Sequence, residues 1–584
     1  MKYLLVYLIL TSSVILNGQE LYKQNKTHTY DEAQSAYEKL QKTHPKHCKL
    51  IQFGQSDYGK NISLFIINKD GNFQPSGFEG KSRLLINNAI HPGEPCGVDA
   101  SLKLAGDLLN NTEQLPDNVV IGIIPMYNVG GGHNRNCCSR ANQNGPEEYG
   151  FRGNAKNLDL NRDFIKSDSK NTRTFYSIYH FLKPNIFVDT HTSNGADYQY
   201  IMTLITSQTD KMHPYLRAYT LEKLNPYLFQ AMKNSNYDMV PYVHSIKSTP
   251  NDGIKDYLET PRYSTGYTNL FNTIGFVTET HMLKTFEERV ESTYTFLDLL
   301  IGYMDENYKD IVELKRKADE HTKIMDYFPI NWQLDTATYN MIDFNGYEAE
   351  YVKSEVTGVD RLLYNHDKPW KGEIRYFNHY RVSDSVKRPE YYIVPQAWKE
   401  VIALLQLNYV EIYKLTDDVV IDVEAYYIDD YQTGTNPYEG HYLHRDMKVS
   451  KEVKQTTFYK GDFVIPTRNA NAQFIVQTLE PHAPDSYFAW NFFDAILQQK
   501  EWFSPYVFED TAIEILKENE ELRKEFMEKK ESDEEFANSS WAQLYFIYKR
   551  SDNYERTHNL YPVCRYMDTF ESDQLKEAST LIGW

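Results

Sequence analysis

"LLINNAIHPGEPCGVDA" spans residues 84–100 and joins two kinds of local structure. An apolar run gives out just before His91 and Glu94. Val98, Leu102, Ala105 and Leu109 then recur at spacings of four, three and four, which lines one face of a helix. A histidine and a carboxylate thus stand between the end of a strand and the start of a helix, where α/β sheets commonly place ligands.

The same alternation runs outward from this point. Residues 62–69 ("ISLFIINK"), 82–90, 119–128 ("VVIGIIPMYN"), 185–191 ("NIFVDTH") and 275–281 ("GFVTETH") are short apolar runs bounded by Gly, Pro or Asn, and helical stretches separate most of them. The pattern predicts an α/β unit with a mainly parallel mixed sheet flanked by helices. A long helix closes it, with Val290, Tyr294, Leu297, Ile301 and Met304 on one face. Beyond residue 345, "YEAEYV", "EIRYF", "VVIDVEAYYI" and "DFVIPT" read as strands of a smaller β-rich domain, and "DTAIEILKENEELRKEFMEKKESDEEF" returns to helix with a charged, solvated face. The expected divisions are a leader at 1–18, a catalytic domain at 19–320, a β-rich domain at 345–480 and a mainly helical region at 481–584.

The first residues, "MKYLLVYLILTSSVILNGQ", have a basic start, an apolar run and a small-residue end, the layout of a secretory signal peptide. The reading is a secreted or periplasmic protein with no membrane span in the mature chain, because no later stretch approaches the ~18–20 apolar residues a span needs. A net charge of -19 argues against nucleic acid or an anionic surface as partner, since phosphate binding needs clustered Lys and Arg. Tyrosine is abundant, but so are Lys, Asn and Ile, so compositional bias explains it better than a sugar-binding surface. The five cysteines, Cys48, Cys96, Cys137, Cys138 and Cys564, are too scattered for a disulfide scaffold and allow one bridge with a thiol left over.

His91 and Glu94 gain meaning from His191, which ends another strand and so can reach the same sheet edge. Two His and one Glu, with a fourth position left open, is a ligand set of catalytic zinc. "NLDLNRDF" (157–164) sets Asn161 beside Arg162, whose guanidinium fork can grip a carboxylate. In "FVTETH" (276–281), Glu279 lies in an apolar, β-branched strand where an unpaired carboxylate is costly; beside a metal that lowers the pKa of water it can serve as general base. Other metal-like spacings read more simply. His133, Cys137 and Cys138 lie in a Gly- and Asn-rich loop, and His441 and His444 in a turn of the β-rich domain. Asp189, two residues before His191, either orients that ligand or makes a core hydrogen bond.

Together these motifs resemble the zinc metallocarboxypeptidases, the carboxypeptidase A-like enzymes, over about residues 30–296, including the entry "THPKHCKLIQFGQSDYGKNISLFII". The resemblance implies one zinc per chain held by His91, Glu94 and His191. It implies Glu279 as general base and proton shuttle, Asn161 and Arg162 as binders of the substrate's terminal carboxylate, and Arg152 as the group polarising the scissile carbonyl. The substrate-capping tyrosine is Tyr263 or Tyr267, with Tyr267 preferred. "YNVGGG" departs from the family's usual Asn-Pro-Asp-Gly, so the loop that carries specificity is unusual.

The sequence therefore reads as a secreted zinc carboxypeptidase acting on peptide or protein C-termini. Its rivals are a zinc amidase or peptidase acting on peptidoglycan or another amide, and a binding protein with a decayed site. Side-chain preference, oligomeric state and the role of residues 345–584 are not legible in it.

Overall fold

The computed structural model describes residues 20–579, and the leader expected at 1–18 lies outside them. Within the described residues, the central sheet takes β1 (Cys48–Gln55), β2 (Asn61–Ile67), β3 (Ser82–Asn87), β4 (Val119–Ile124), β5 (Ile186–Ser193), β6 (Met202–Thr206) and β7 (Met239–Pro241). A short β8 (Ile254–Lys255) joins another sheet, and β9 (Ile274–His281) returns to the first. The order is β1-β2-β4-β3-β5-β9-β6-β7. β3 runs parallel to β4 and β5, β5 to β9, and β6 to β7, while β1/β2, β2/β4 and β6/β9 are antiparallel. This is the mainly parallel mixed sheet read from the sequence.

Alternation along the central strands shows how the sheet is covered. Leu84 and Ile86 of β3 and Ile186 and Val188 of β5 pack into one cluster with Leu102, Ala105 and Leu109 of the helix Cys96–Asn110 and Leu297, Ile301 and Met304 of the helix Phe286–Glu306. Leu85 and Phe187 point to the other face and meet Phe175, Ile178 and Leu182 of the helix Lys170–Leu182. Both faces being dry, β4 and β5 are buried along their whole length, which is why they read as continuous apolar runs.

The later strands are β10 (Tyr327–Leu334), β11 (Asn340–Lys353), β12 (Asp360–Phe377), β13 (Tyr380–Lys387), β14 (Tyr391–Val394), β15 (Tyr413–Leu415), β16 (Val419–Thr433), β17 (His444–Phe458), β18 (Phe463–Pro466), β19 (Cys564–Tyr566) and β20 (Leu575–Glu577). β10 pairs with β13, and the β11–β12 hairpin ends parallel to β8. The other seven form a sheet ordered β17-β16-β19-β14-β18-β15-β20. The helices Pro505–Glu518, Glu520–Ser532 and Ser540–Tyr548 pack on one another through Phe508, Phe526 and Leu544. β19 and β20 follow these helices and return to the sheet, so the chain's last stretch is not helical throughout.

The two halves share one core. Tyr267 and Phe271 of the first pack in the same cluster as Val401, Phe474 and Trp490 of the second. No helix among the described residues is long and apolar enough to cross a membrane.

Candidate active site

Three strands deliver the site to one edge of the sheet. The chain leaving β3 carries His91 and Glu94, β5 carries His191, and β9 carries Glu279 in direct register with His191. Ligand atoms of His91, Glu94 and His191 lie within 4.8 Å of one another, and all three residues are buried. His91 Nδ1 stands 3.4 Å from Glu94 Oε1, and His191 Nδ1 stands 3.1 Å from Glu94 Oε2.

The other nitrogen of each imidazole faces a carboxylate. His91 Nε2 is 2.9 Å from Asp159 Oδ1, and His191 Nε2 is 3.2 Å from Asp189 Oδ2. Asp189 is itself fixed by Ser264 Oγ at 2.5 Å and Asn87 Nδ2 at 3.1 Å. Both rings thus turn Nδ1 inward, and buried His91 Nδ1 makes no hydrogen bond. Ligands ~2.1 Å from a tetrahedral zinc stand about 3.4 Å apart, so these spacings and this donor set fit the ion, with carboxylates behind both histidines.

The charges around the site also suit a cation. Burial alone would raise the Glu94 carboxyl, but Arg140 and His91 hold it well below the usual carboxylate range. Burial would likewise raise Asp159, yet His91, Arg152 and Arg162 keep it well below that range. Burial pulls His191 down, while Asp189 and Glu94 outweigh it and raise the imidazole.

Glu279 is the only residue of β9 that is not buried, and it opens onto the cavity. Protein surrounds its other sides, and that desolvation pushes its carboxyl up to about 7, with His191 pulling down and Glu94 pushing up. An acid poised there can both take and return a proton near neutral pH.

His91, Glu94, His191, Glu279, Arg152, Asn161 and Arg162 line one cavity of about 250 Å³. Arg152 Nη2 reaches Asp159 at 2.8 Å and its Nη1 lies 3.6 Å from Glu94. The Asn161 carboxamide oxygen accepts the Ser264 backbone N–H at 3.0 Å, and the Arg162 guanidinium lies over the Tyr263 ring at 4.3 Å.

Tyr267, the expected substrate cap, is not brought to the cavity. It is fully buried, donates to Asn408 Oδ1 at 2.7 Å and stacks on Tyr176. Tyr263 lines the cavity instead, with Tyr242 and Tyr257. The cause is local: Tyr263 is the extended residue capping the short helix Ser264–Asn269, whereas Tyr267 lies one turn inside it and faces the core. Tyr267→Phe should therefore lower stability by about 1–3 kcal/mol, as Asn408 loses its buried donor, and leave kcat/KM within about twofold. Thermal melting and peptide assays check the two parts separately.

Two site residues were missed in the sequence. Asp159 sits inside the quoted "NLDLNRDF", where its spacing from Asn161 carried no signal of its own. Arg140, whose Nη1 lies 2.7 Å from Glu94 Oε1, comes from the loop that also holds Cys137 and Cys138. Those two cysteines are bonded to each other, Cys48, Cys96 and Cys564 are free, and His133 stacks on Tyr58.

This geometry is that of a candidate metal centre at the carboxyl edge of an α/β sheet. Residues 33–279 match the model of the zinc carboxypeptidase family. The chain is 21% identical over 434 residues to "Carboxypeptidase 2" of Trichophyton tonsurans, spanning 70% of this chain and 73% of that one. It is 20% identical over 460 residues to the Trichophyton rubrum protein of the same name, spanning 74% and 78%. Among solved structures, a metallo-carboxypeptidase from Burkholderia cenocepacia aligns at 15% identity over 48% of this chain and 70% of that one, with a TM-score of 0.36. Bovine thrombin-activatable fibrinolysis inhibitor aligns at 12% identity over 49% and 99%, with a TM-score of 0.37.

Proposed function

We propose that this is a secreted zinc carboxypeptidase that removes the last residue of peptides, with His91, Glu94 and His191 as its metal ligands. What carries the reading is one cavity lined by all three ligands, by Glu279 and by Arg152, Asn161 and Arg162. Zinc held there would supply Lewis acidity, polarising a carbonyl and making water a stronger acid. Glu279 takes the proton of the attacking water and returns it to the leaving amine. Arg152 offers a second positive group to the oxygen on which charge develops. Asn161 and Arg162 hold the substrate's terminal carboxylate, and Tyr263 covers it in the role first given to Tyr267. Catalysis is assigned to the 19–320 segment. Export rests on the leader at 1–18.

The purified protein, incubated with a peptide mixture and read by mass spectrometry, should yield products shortened by one C-terminal residue, and a chelator should stop it. It should contain about one zinc per chain, and His191→Ala should lose most of it. Internal cleavage would turn the reading toward an endopeptidase. Full zinc retention in His191→Ala would remove that residue from the site.

A further inference from the structure

The β16–β17 hairpin belongs to the C-terminal region, yet its tip lies against the candidate site. Its ladder runs as far as Thr433↔His444, and the chain closes again beyond it at Tyr438 and His441. Tyr438 N–H donates to His441 O at 2.7 Å, and His441 N–H donates to Tyr438 O at 3.1 Å. Between them Glu439 and Gly440 have φ of 51° and 86°. Two left-handed residues are what a tight two-residue hairpin turn needs, and Asn-Gly is its preferred pair. A glutamate at the first position is unusual there, and such a backbone choice invites a functional reason.

Both tip side chains reach residues of the site. Tyr438 Oη accepts the Arg162 Nε–H at 3.0 Å. Glu439 Oε2 accepts the backbone N–H of Asp159 at 2.7 Å, and Asp159 in turn faces His91 Nε2. The tip is itself held from behind. The Tyr438 ring stacks on buried Trp490, whose face also meets Arg262, and His441 Nε2 lies 2.8 Å from Asp168 Oδ2.

Arg162 is thus fixed on three sides: Tyr263 against its face, Asn161 O on Nη1 at 2.7 Å, and Tyr438 on Nε. Without Tyr438, nothing else in this set holds Nε, and the guanidinium can swing about its side-chain torsions. A fork that must meet a carboxylate with two parallel bonds loses most when its plane is free to turn.

We propose that Tyr438 and Glu439 are positioning residues of the active site, so that the C-terminal region sets the aim of Arg162 and the seat of Asp159. The inference rests on the reading of Arg162 as binder of the terminal carboxylate. It gives residues 345–584 a part in substrate recognition.

The test uses the full chain, a peptide with a free C-terminus and the same peptide as its amide. Tyr438→Phe keeps the ring on Trp490 and removes the hydroxyl. It should raise KM for the free acid about 3- to 10-fold, hold kcat within about twofold and leave the amide unchanged. Glu439→Asn keeps the turn, in its favoured Asn-Gly form, but shortens the side chain out of reach of Asp159. It should weaken zinc retention several-fold in a chelator competition, and Glu439→Gln, which keeps an acceptor at full reach, should restore it. Wild-type KM in Tyr438→Phe together with wild-type zinc retention in Glu439→Asn, both variants melting like the parent, would overturn the inference. Arg162→Ala separates the two levels. If it abolishes the preference for the free acid while the hairpin variants behave as wild type, only the hairpin's role fails; if it leaves the preference intact, the reading of Arg162 fails and takes this inference with it.

Discussion

Glu279→Gln is expected to cut turnover by ~10²- to 10⁴-fold while zinc content stays near that of the parent. Glutamine keeps the shape and hydrogen-bonding reach of the side chain but cannot carry a proton from water to the leaving amine. It is not among the three residues whose ligand atoms converge, so the metal should stay. A second outcome follows from the raised carboxyl. A group held above its ordinary value in the folded state opposes folding once the pH exceeds that value, and does so fully above about 7. The metal-free Gln variant should therefore melt at or above the temperature of the metal-free parent at pH 8, which separates lost chemistry from lost structure. Turnover within about threefold of the parent would assign the proton transfers to another residue. Loss of zinc would place Glu279 among the ligands.

The parts of the molecule legible in the sequence are those whose physics is local. β3, β4, β5 and β9 were visible because strands buried on both faces must be apolar throughout, and the helix Cys96–Asn110 because one stripe of it meets the sheet. β1 was not, because as an edge strand it mixes buried and open positions in "CKLIQFGQ". β6 and β7 are short pieces between loops, and only their neighbours in the sheet make them strands. The site shows the same division. His91, Glu94, His191 and Glu279 stand at strand ends, where position in the chain predicts position in space. Tyr263 and Tyr267 are four residues apart in one turn, and which of them faces the cavity depends on Asn408, Phe474 and other residues far along the chain. Glu439 opens, and Tyr438 just precedes, the stretch with His441 and His444 read as a turn of the β-rich domain; that the turn ends on Arg162 and Asp159 is a fact of tertiary packing with no counterpart in local sequence.

Peptides with a free C-terminus should be cleaved far better than their amides, by a factor on the order of 30 to several thousand in kcat/KM. Arg162 is the group expected to make the difference. A guanidinium partly withdrawn from water already bears a desolvation cost, which a carboxylate repays through charge-assisted, paired hydrogen bonds and an amide does not. Removing one member of such a charged pair typically costs ~2–5 kcal/mol, which is the source of that range. The surroundings of Arg162 agree with this use. Among the described residues, the carboxylate within ion-pair distance of Arg162 is Asp159, which is 4.0 Å away and engaged more closely by His91 and Arg152, so the guanidinium has no close ion-pair partner of its own. Arg162→Ala should therefore shrink the free-acid preference more than it lowers activity on the amide, because the amide never drew on the charge. Equal cleavage of acid and amide by the parent would show that Arg162 does not read a terminal carboxylate, and the enzyme would then have to choose its bond by some feature other than the chain end.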